Sequence, residues 1–378
     1  MKKIAQKSMV LLALIFTGTG FASSPQSEDK MKPERPTVRI ALLLDTSNSM
    51  DGLINQAKSQ LWDIVNQFTY AKCGNEGRPR LKIALYQYGN NDLASEEGYI
   101  QQVLGFSSDL DEISAKLFSL TTNGGEEYCG QVIHQSLQQL DWGKNPDDLK
   151  MIFIAGNEPF TQGRKDFREA VLNAKERDVI VNTIFCGKYT LGINTHWQEG
   201  ARLGGGEYMA IDHNRQVVHV KTPYDEIIIK LNKRLNTTYV SYGSKGAERM
   251  AVQAQQDAEA MELQEAVAVK RAVSKSSAYY NNSGWDLIDA SSQKDFDLAG
   301  VRRETLPEAL RGKSDQEIRA FLEEKREERR QIQSEIQQTH TKREAYLKEH
   351  RKNESGELEK AILEAIKKQA SKKDLYWE

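Results

Sequence analysis

The sequence lacks the motifs that mark most common metal and catalytic sites. It has three cysteines, Cys73, Cys129 and Cys186, and no C-x-x-C spacing, which excludes a cysteine-rich zinc site. Its six histidines are scattered without an H-E-x-x-H motif, so a zinc hydrolase is not indicated. The G-x-x-x-x-G-K-[ST] phosphate loop and the G-x-S-x-G nucleophile elbow are absent as well. With no nucleophile and base in view, we do not expect an enzyme.

The chain also has little net charge and few long apolar runs. Its 52 Lys and Arg residues nearly balance its 54 Asp and Glu residues. No overall field therefore favours nucleic acid or an anionic membrane, and we expect no nucleic-acid partner. Outside the first residues there is no run of 18 apolar residues, so we expect no transmembrane segment in the mature chain.

The first 36 residues have the composition of an export signal and a leader. Lys2, Lys3 and Lys7 precede a short apolar run at residues 9–16 (MVLLALIF), and the segment ends in small residues near Ala22. This layout predicts a signal peptide over residues 1–22 and an exported protein, periplasmic or secreted. Residues 23–36 are polar and contain proline, which predicts a flexible leader.

Residues 37–242 alternate short apolar runs with amphipathic stretches. Strands are predicted at residues 38–45, 81–89, 98–106, 149–156, 179–187 and 204–211, with helices between most of them. The loop between the second and third strands is too short for a helical crossover, so this pair should be antiparallel. The pattern predicts an α/β fold with a doubly wound, mostly parallel sheet.

The remainder of the chain predicts an all-α region. Residues 243–312 form a helical extension with an aromatic-rich link, in which Tyr279, Tyr280 and Trp285 are expected to dock onto the first domain. Residues 313–378 predict long charged helices, and five of nine candidate heptad positions are apolar. Three interpretations stay open: a coiled coil, through which the chain would oligomerise, a long solvated helix, and a helix that packs along the first domain.

The first predicted strand runs directly into Asp45, Ser47 and Ser49. In a parallel sheet, ligands bind beyond the carboxyl ends of the strands. A carboxylate with two hydroxyls is an oxygen set suited to Mg²⁺, Mn²⁺ or Ca²⁺. The alternative is that a serine simply caps the following helix.

On these residues, positions 38–240 resemble a von Willebrand factor type A domain, and LLLDTSNSM resembles the first loop of that family's metal-ion-dependent adhesion site. The resemblance implies that Ser47 and Ser49 ligate a divalent cation, with Mg²⁺ expected ahead of Mn²⁺ or Ca²⁺. Asp45 would contribute directly or through water. An acidic group of a protein partner would complete the coordination, so the implied mechanism is binding.

The other two loops depart from the family pattern. The second loop, TTNGGEEYCG, has Glu126 where the family has threonine, with Thr122 as a nearby substitute. The third loop, IAGNEPF, has Gly156 where the family has aspartate, which leaves Asn157 and Glu158 as the nearest oxygen donors. One acidic ligand is thus lost and one gained, so the charge of the site is preserved.

Two cysteines are expected near the same edge of the sheet. Cys129 opens the helix after the second loop, and Cys186 closes a strand that points to that edge. In an oxidising compartment a Cys129–Cys186 disulfide could brace the site, while the alternative is that the cysteines are small buried thiols.

Two functions of different classes follow. The first is an exported interaction module, acting in adhesion or as a scaffold, that binds an acidic group of a protein partner through a cation at the DTSNS motif. The second is a metal-independent structural or regulatory protein of the cell envelope that acts through its C-terminal helices. Were any chemistry present, Glu126, Glu127 and Glu158 near a cation would be the place for it.

Overall fold

A six-stranded sheet forms the centre of the structure, a computed structural model that describes residues 35–73, 77–214, 219–350 and 357–377. From one edge to the other, its strands are β4 (Ile100–Ser107), β3 (Arg80–Tyr88), β1 (Thr37–Asp45), β5 (Leu149–Gly156), β6 (Ile180–Cys186) and β7 (Gly205–Ile211). Only β3 and β4 pair antiparallel, and the other neighbours are parallel. The predicted doubly wound sheet and its antiparallel pair are therefore confirmed. The predicted signal peptide and the leader up to residue 34 lie outside the described residues.

Helices cover both faces of this sheet and continue into the C-terminal region. Those of the first part are α1 (Asp51–Gln67), α2 (Leu110–Phe118), α3 (Cys129–Gln139), α4 (Phe167–Glu176), α5 (Tyr189–Asn194), α6 (Trp197–Leu203) and α7 (Asp225–Asn236). The C-terminal region contributes α8 (Gly246–Leu263), α9 (Glu265–Lys275), α10 (Leu287–Ala290), α11 (Glu308–Arg311), α12 (Asp315–His350) and α13 (Glu357–Ala370). A small second sheet pairs β2 (Ala71–Cys73) with β8 (Leu375–Trp377), so the predicted C-terminal helix ends in a strand.

Strand β1 is central because both of its faces are apolar. All nine of its residues are buried. Ile40 and Leu42 belong to the hydrophobic cluster on the α1 face, whereas Ala41 and Leu43 belong to the cluster on the α3 face. Alternate side chains of a strand point to opposite faces, so a continuous apolar run is what a strand between two helical layers requires.

The C-terminal helices complete the core on the α1 face. Val269 of α9 and Ile366 of α13 are fully buried in the same cluster as Leu61 of α1. Helix α13 packs against α1, β5 and β7, and from Arg35 onward the chain forms one compact unit. The division of the chain at residues 242 and 312 stays a prediction, since the segments on either side share this core.

The long helix α12 packs on its own chain along α7. Its buried residues include the predicted heptad positions Ile332 and Ile336, together with two arginines. Arg329 donates to Asp286 at 2.6 Å and Arg343 donates to Asp225 at 2.7 Å. Buried charges are tolerated when they are paired in this way. Of the three interpretations of the heptad pattern, the structure agrees with the helix that packs along the first domain.

The aromatic residues of the link are internal. Tyr280 and Trp285 are buried in the α1-face cluster, and Tyr279 packs against it. The Tyr280 hydroxyl donates to Asp111 of α2 at 2.6 Å. The structure therefore agrees with the docking role that was expected for these aromatic residues.

Among the described helices, none combines the length and the apolar character that crossing a bilayer would require.

The shared core predicts that α13 stabilises the whole unit. Ile366→Ala should lower the free energy of unfolding by about 2–5 kcal/mol, because it leaves a cavity beneath the sheet face. Glu364→Ala, an exposed position on the same helix, is the matched control and should change it by less than about 0.5 kcal/mol. Urea unfolding followed by circular dichroism measures both. Equal effects would show that α13 is only loosely attached.

Candidate metal centre

The Asp45 carboxylate lies at the carboxyl end of β1, fully buried. Its Oδ1 accepts a hydrogen bond of 2.8 Å from the backbone N–H of Ser47. Its Oδ2 is buried and has no hydrogen-bond partner. A buried carboxylate oxygen without a donor is costly, and a bound cation would remove that cost.

The two serines of the first loop flank this carboxylate. Ser47 is buried and Ser49 is exposed, with 3.4 Å between their Oγ atoms. Neither serine caps a helix: the 3₁₀ turn Asn48–Met50 and helix α1 both begin without a side-chain cap hydrogen bond. The structure therefore does not have the serine helix cap that the alternative interpretation predicts.

The second loop brings Glu127, not Glu126, toward Asp45. Glu127 is buried, and its Oε2 is another buried oxygen with no hydrogen-bond partner. Glu126 is exposed and accepts a hydrogen bond of 2.7 Å from the hydroxyl of Tyr128. The Thr122 hydroxyl donates to Asp51 at the start of α1. Glu127 thus lies where Glu126 was expected, facing Asp45, because successive side chains of this non-helical loop point to opposite sides.

The third loop adds an amide oxygen. Asn157 is partly exposed; its Nδ2 donates to Ser49 Oγ at 3.1 Å, while its Oδ1 is buried without a partner. Glu158 is exposed, with its backbone oxygen held by the indole N–H of Trp197 at 2.8 Å. Its carboxylate acts on Asp45 and Glu127 through charge repulsion.

Gly156 leaves no room for the aspartate that the resemblance would place there. A Cβ at this position would lie 2.5 Å from the Tyr88 hydroxyl and 3.1 Å from Asp45 Oδ2. Tyr88 is fully buried at the end of β3, and its hydroxyl donates to the Ala155 carbonyl at 2.9 Å. The tyrosine therefore fills the space beneath the site, and glycine is needed beside it.

One unpartnered buried oxygen comes from each of the three loops: Asp45 Oδ2, Glu127 Oε2 and Asn157 Oδ1. With the Ser47 and Ser49 hydroxyls, they form a hard-oxygen set that fits a divalent cation. Within the described ranges, no group of three or more His, Cys, Asp or Glu side chains could hold a metal ion alone. A cation here would depend on the hydroxyls and the amide as well as on two carboxylates.

Burial and mutual repulsion raise the pKa of both carboxyls. The pKa of Asp45 rises to about 7, chiefly because burial disfavours the charged form, while the Ser47 N–H and hydroxyl oppose the rise. The pKa of Glu127 rises to about 8, again chiefly through burial and then through the charge of Asp45. The Ser47 hydroxyl interacts with both carboxyls, which places it between them. A divalent cation would favour the doubly ionised state that the site alone disfavours.

Cys129 and Cys186 are both buried thiols that form no disulfide, so the bridge proposed between them is absent. The reason is topological: Cys129 belongs to the cluster on the α3 face and Cys186 to the cluster on the α1 face. The sheet therefore separates the two sulfur atoms. Cys129 instead lies next to the Tyr88 hydroxyl, with 3.8 Å between its Sγ and the hydroxyl oxygen.

The first part of the chain, which contains the three loops described above, matches a protein-family model. The model of the von Willebrand factor type A domain matches residues 40–195, which include all three loops. Over residues 40–195 the chain is similar to a von Willebrand factor type A domain. The match covers less than half of the chain and ends before α6. The rest of the sheet, β7, and the C-terminal helices lie beyond it.

Solved structures similar to this chain are distant in sequence. They include the conserved hypothetical protein BatB from Bacteroides thetaiotaomicron, at 17% identity over 46% of this chain and 90% of that one, with a TM-score of 0.35. Proximal thread matrix protein 1 from the mussel byssus, with a zinc-occupied adhesion motif, has 14% identity over 48% and 43%, with a TM-score of 0.37. The pilus adhesin SpaC from Lactobacillus rhamnosus GG has 16% identity over 48% and 28%, with a TM-score of 0.34. No curated protein matches the sequence.

The raised pKa values of Asp45 and Glu127 predict an unusual pH dependence of stability without metal. The native state holds protons between about pH 4 and pH 8 that the unfolded state has released, so the free energy of unfolding should fall as pH rises through this range. Each retained proton contributes a slope of about 1.4 kcal/mol per pH unit.

Urea unfolding in chelator between about pH 5 and pH 8 measures this slope. Asp45→Asn should flatten it, because it removes one titrating group and the repulsion on the other. Excess Mg²⁺ should flatten it in the wild type but not in the variant. A stability of the metal-free wild type that rises with pH over this range would contradict the prediction.

The close contact between Gly156 and Tyr88 predicts a double-mutant coupling. Gly156→Ala should lower the free energy of unfolding by about 1–3 kcal/mol, because its methyl group overlaps the tyrosine hydroxyl. In a Tyr88→Phe background the same change should cost clearly less, since the hydroxyl is gone. Chemical denaturation of the four proteins measures the coupling. Additive effects would show that the hydroxyl does not fill this space.

Proposed function

We propose that this protein is an exported interaction module that binds an acidic group of a protein partner through a divalent cation, with Mg²⁺ expected first. The observation that carries the proposal is the convergence of buried, unpartnered oxygens from three loops at the carboxyl end of β1. Export is supported by the predicted signal peptide, and the binding role by the type A domain.

The residues that would hold the cation are those already brought together. Asp45 and Glu127 would supply negative charge, Ser47 and Ser49 hydroxyl oxygens, and Asn157 an amide oxygen. The two carboxylates balance the charge of one divalent ion. In the family, an aspartate of the third loop supplies the second negative charge, which Glu127 would supply here. When bound, the cation supplies an electrophilic centre for an oxygen ligand of the partner.

The site has an open side where a partner can approach. Ser49 is exposed and Asn157 is partly exposed, while Asp45 and Ser47 are buried beneath them. A hard cation held by two carboxylates and neutral oxygens accepts a further oxygen ligand, and a carboxylate is the strongest such ligand that a protein offers. This arrangement binds a partner without making or breaking a covalent bond.

The alternative is a metal-independent envelope protein that acts through its C-terminal helices. Truncation after residue 244 would not separate the two functions, because α9 and α13 complete the core on the α1 face. Point variants that spare the core are the sharper comparison.

The placement of Glu127 predicts which glutamate matters for cation binding. Calorimetric titration of the mature protein with Mg²⁺, Mn²⁺ or Ca²⁺ should show binding that Glu127→Gln and Asp45→Asn weaken at least ~10-fold, because each removes an anionic ligand. Glu126→Gln is the matched control, since it makes the same change at the next position, and it should retain wild-type affinity. Loss in Glu126→Gln with retention in Glu127→Gln would contradict the geometry.

The same variants test the partner function. Immobilised wild-type protein and Glu126→Gln should retain a partner from envelope extract with cation present and release it in chelator. Asp45→Asn should retain little under either condition, although its fold is intact by circular dichroism. Retention that is equal in all six combinations of protein and condition would favour the alternative function.

A further inference from the structure

Charge is strongly segregated at the edge of the sheet that holds the candidate site. Four segments meet there: residues 45–51, 89–99, 119–128 and 156–164. Together they contain eight Asp or Glu residues and a single basic residue, Arg164, although the whole chain has a formal net charge of only −2. We call this surface the acidic edge.

Backbone hydrogen bonds hold these segments against one another. The N–H of Asn123 donates to the Thr46 carbonyl at 3.0 Å, and the N–H of Asn91 donates to the Gly124 carbonyl at 2.8 Å. The fourth segment is joined through a side chain, since Gln162 Oε1 accepts from the N–H of Glu127 in the third segment at 3.0 Å. The acidic residues therefore belong to one continuous surface around the unpartnered, fully buried Asp45 carboxylate.

Most of these acidic side chains face solvent without a counter-ion. The exposed ones are Asp51, Asp92, Glu96, Glu97, Glu126 and Glu158. Their hydrogen bonds come from neutral groups of the loops, such as the amide of Asn123, which donates to Asp92, and the hydroxyl of Tyr128. Within the described part of the chain none of the six forms an ion pair. One divalent cation balances Asp45 and Glu127. The six exposed carboxylates then outnumber Arg164 and Lys58, of which Lys58 interacts electrostatically with Asp51.

A cleft of about 340 Å³ opens on the acidic edge next to the candidate site. Its walls include the rings of Tyr99 and Tyr128, whose centroids lie 6.0 Å apart, together with Glu96 and Arg164. Tyr128 directly follows Glu127, so the cleft and the candidate site share the second loop. Tyr99 is held in the left-handed backbone region at φ 56°, a costly conformation that is concentrated at functional positions.

We propose that the partner presents its metal-binding acidic residue within a basic surface, and that one of its Lys or Arg side chains enters the cleft beside the packed rings of Tyr99 and Tyr128. This inference deepens the proposed function and rests on it. An isolated acidic group would be repelled by the six exposed carboxylates, whereas flanking basic residues are attracted to them. Tyrosine faces and nearby carboxylates both favour a cationic side chain.

Blocked pentapeptides with a central Asp test the inference without knowledge of the natural partner. The Asp is flanked on both sides by two Lys, two Ser or two Glu residues, and fluorescence anisotropy measures binding with excess Mg²⁺. At ~50 mM salt the Lys-flanked peptide should bind at least ~10-fold tighter than the Ser-flanked one, and the Glu-flanked one should bind weakest. The preference should shrink at ~500 mM salt, where the charges are screened.

Charge variants outside the metal ligands assign the preference to this surface. Glu96→Gln combined with Glu97→Gln should reduce the preference for Lys several-fold while leaving cation affinity unchanged. Glu248→Gln combined with Glu262→Gln, two exposed positions on α8, is the matched control with the same change of net charge. Arg164→Ser should increase the preference, since it removes the one positive charge of the cleft.

The outcomes separate this inference from the function on which it rests. Equal affinity for the Lys-flanked and Ser-flanked Asp peptides, with both released by chelator, would overturn the basic-surface inference and leave cation-dependent binding intact. A Lys-flanked Asn peptide that binds as tightly as its Asp counterpart, with or without chelator, would overturn acid coordination at the cation and support the basic preference. An unchanged preference in the Glu96/Glu97 variant would also overturn the inference.

Discussion

Much of the architecture depends on the burial of one carboxylate, that of Asp45, at the end of the central strand. Strand β1 is enclosed on both faces, so its last residue lies out of contact with water. The free energy of that burial is offset only partly by the Ser47 N–H. The surrounding loops accordingly place Glu127, Asn157 and the two serines around it, and Gly156 brings the backbone close. An ion shared by these oxygens is the simplest way to satisfy all of them at once.

The same burial explains why the third loop departs from the pattern that the sequence resembles. Tyr88 occupies the volume beside Gly156, so a third-loop aspartate has no space. Glu127 brings the second negative charge from a different loop. The two changes fit together physically: the site retains two carboxylates, with one of them approaching from the side of β3 instead of β5. On the proposed function, the exposed carboxylates of the acidic edge would select the kind of surface that can come close.

The C-terminal region is part of the same folded unit. Helices α9 and α13 cover the α1 face of the sheet, and buried ion pairs such as Arg329–Asp286 and Arg343–Asp225 attach α12 to the chain that precedes it. Buried pairs of this kind set the position of a helix more than they add to stability. The charged character of α12 thus reflects one outward face in solvent and one inward face matched by aspartates.

The sequence by itself determined the six strands of the main sheet, most of the helices between them, the antiparallel pair and the first-loop oxygen set. These features depend on local periodicity and on loop length, which are properties of short segments. Tertiary structure decided the choice of Glu127 over Glu126, the filling of space by Tyr88, the separation of Cys129 from Cys186 and the use of α12 and α13 within the core. Each of these depends on which distant residues meet across a sheet face or a loop contact, and no local pattern in one sequence encodes such a meeting. The acidic edge is of the same kind: its charges come from four separated segments, and they form one surface only because parallel strands end together.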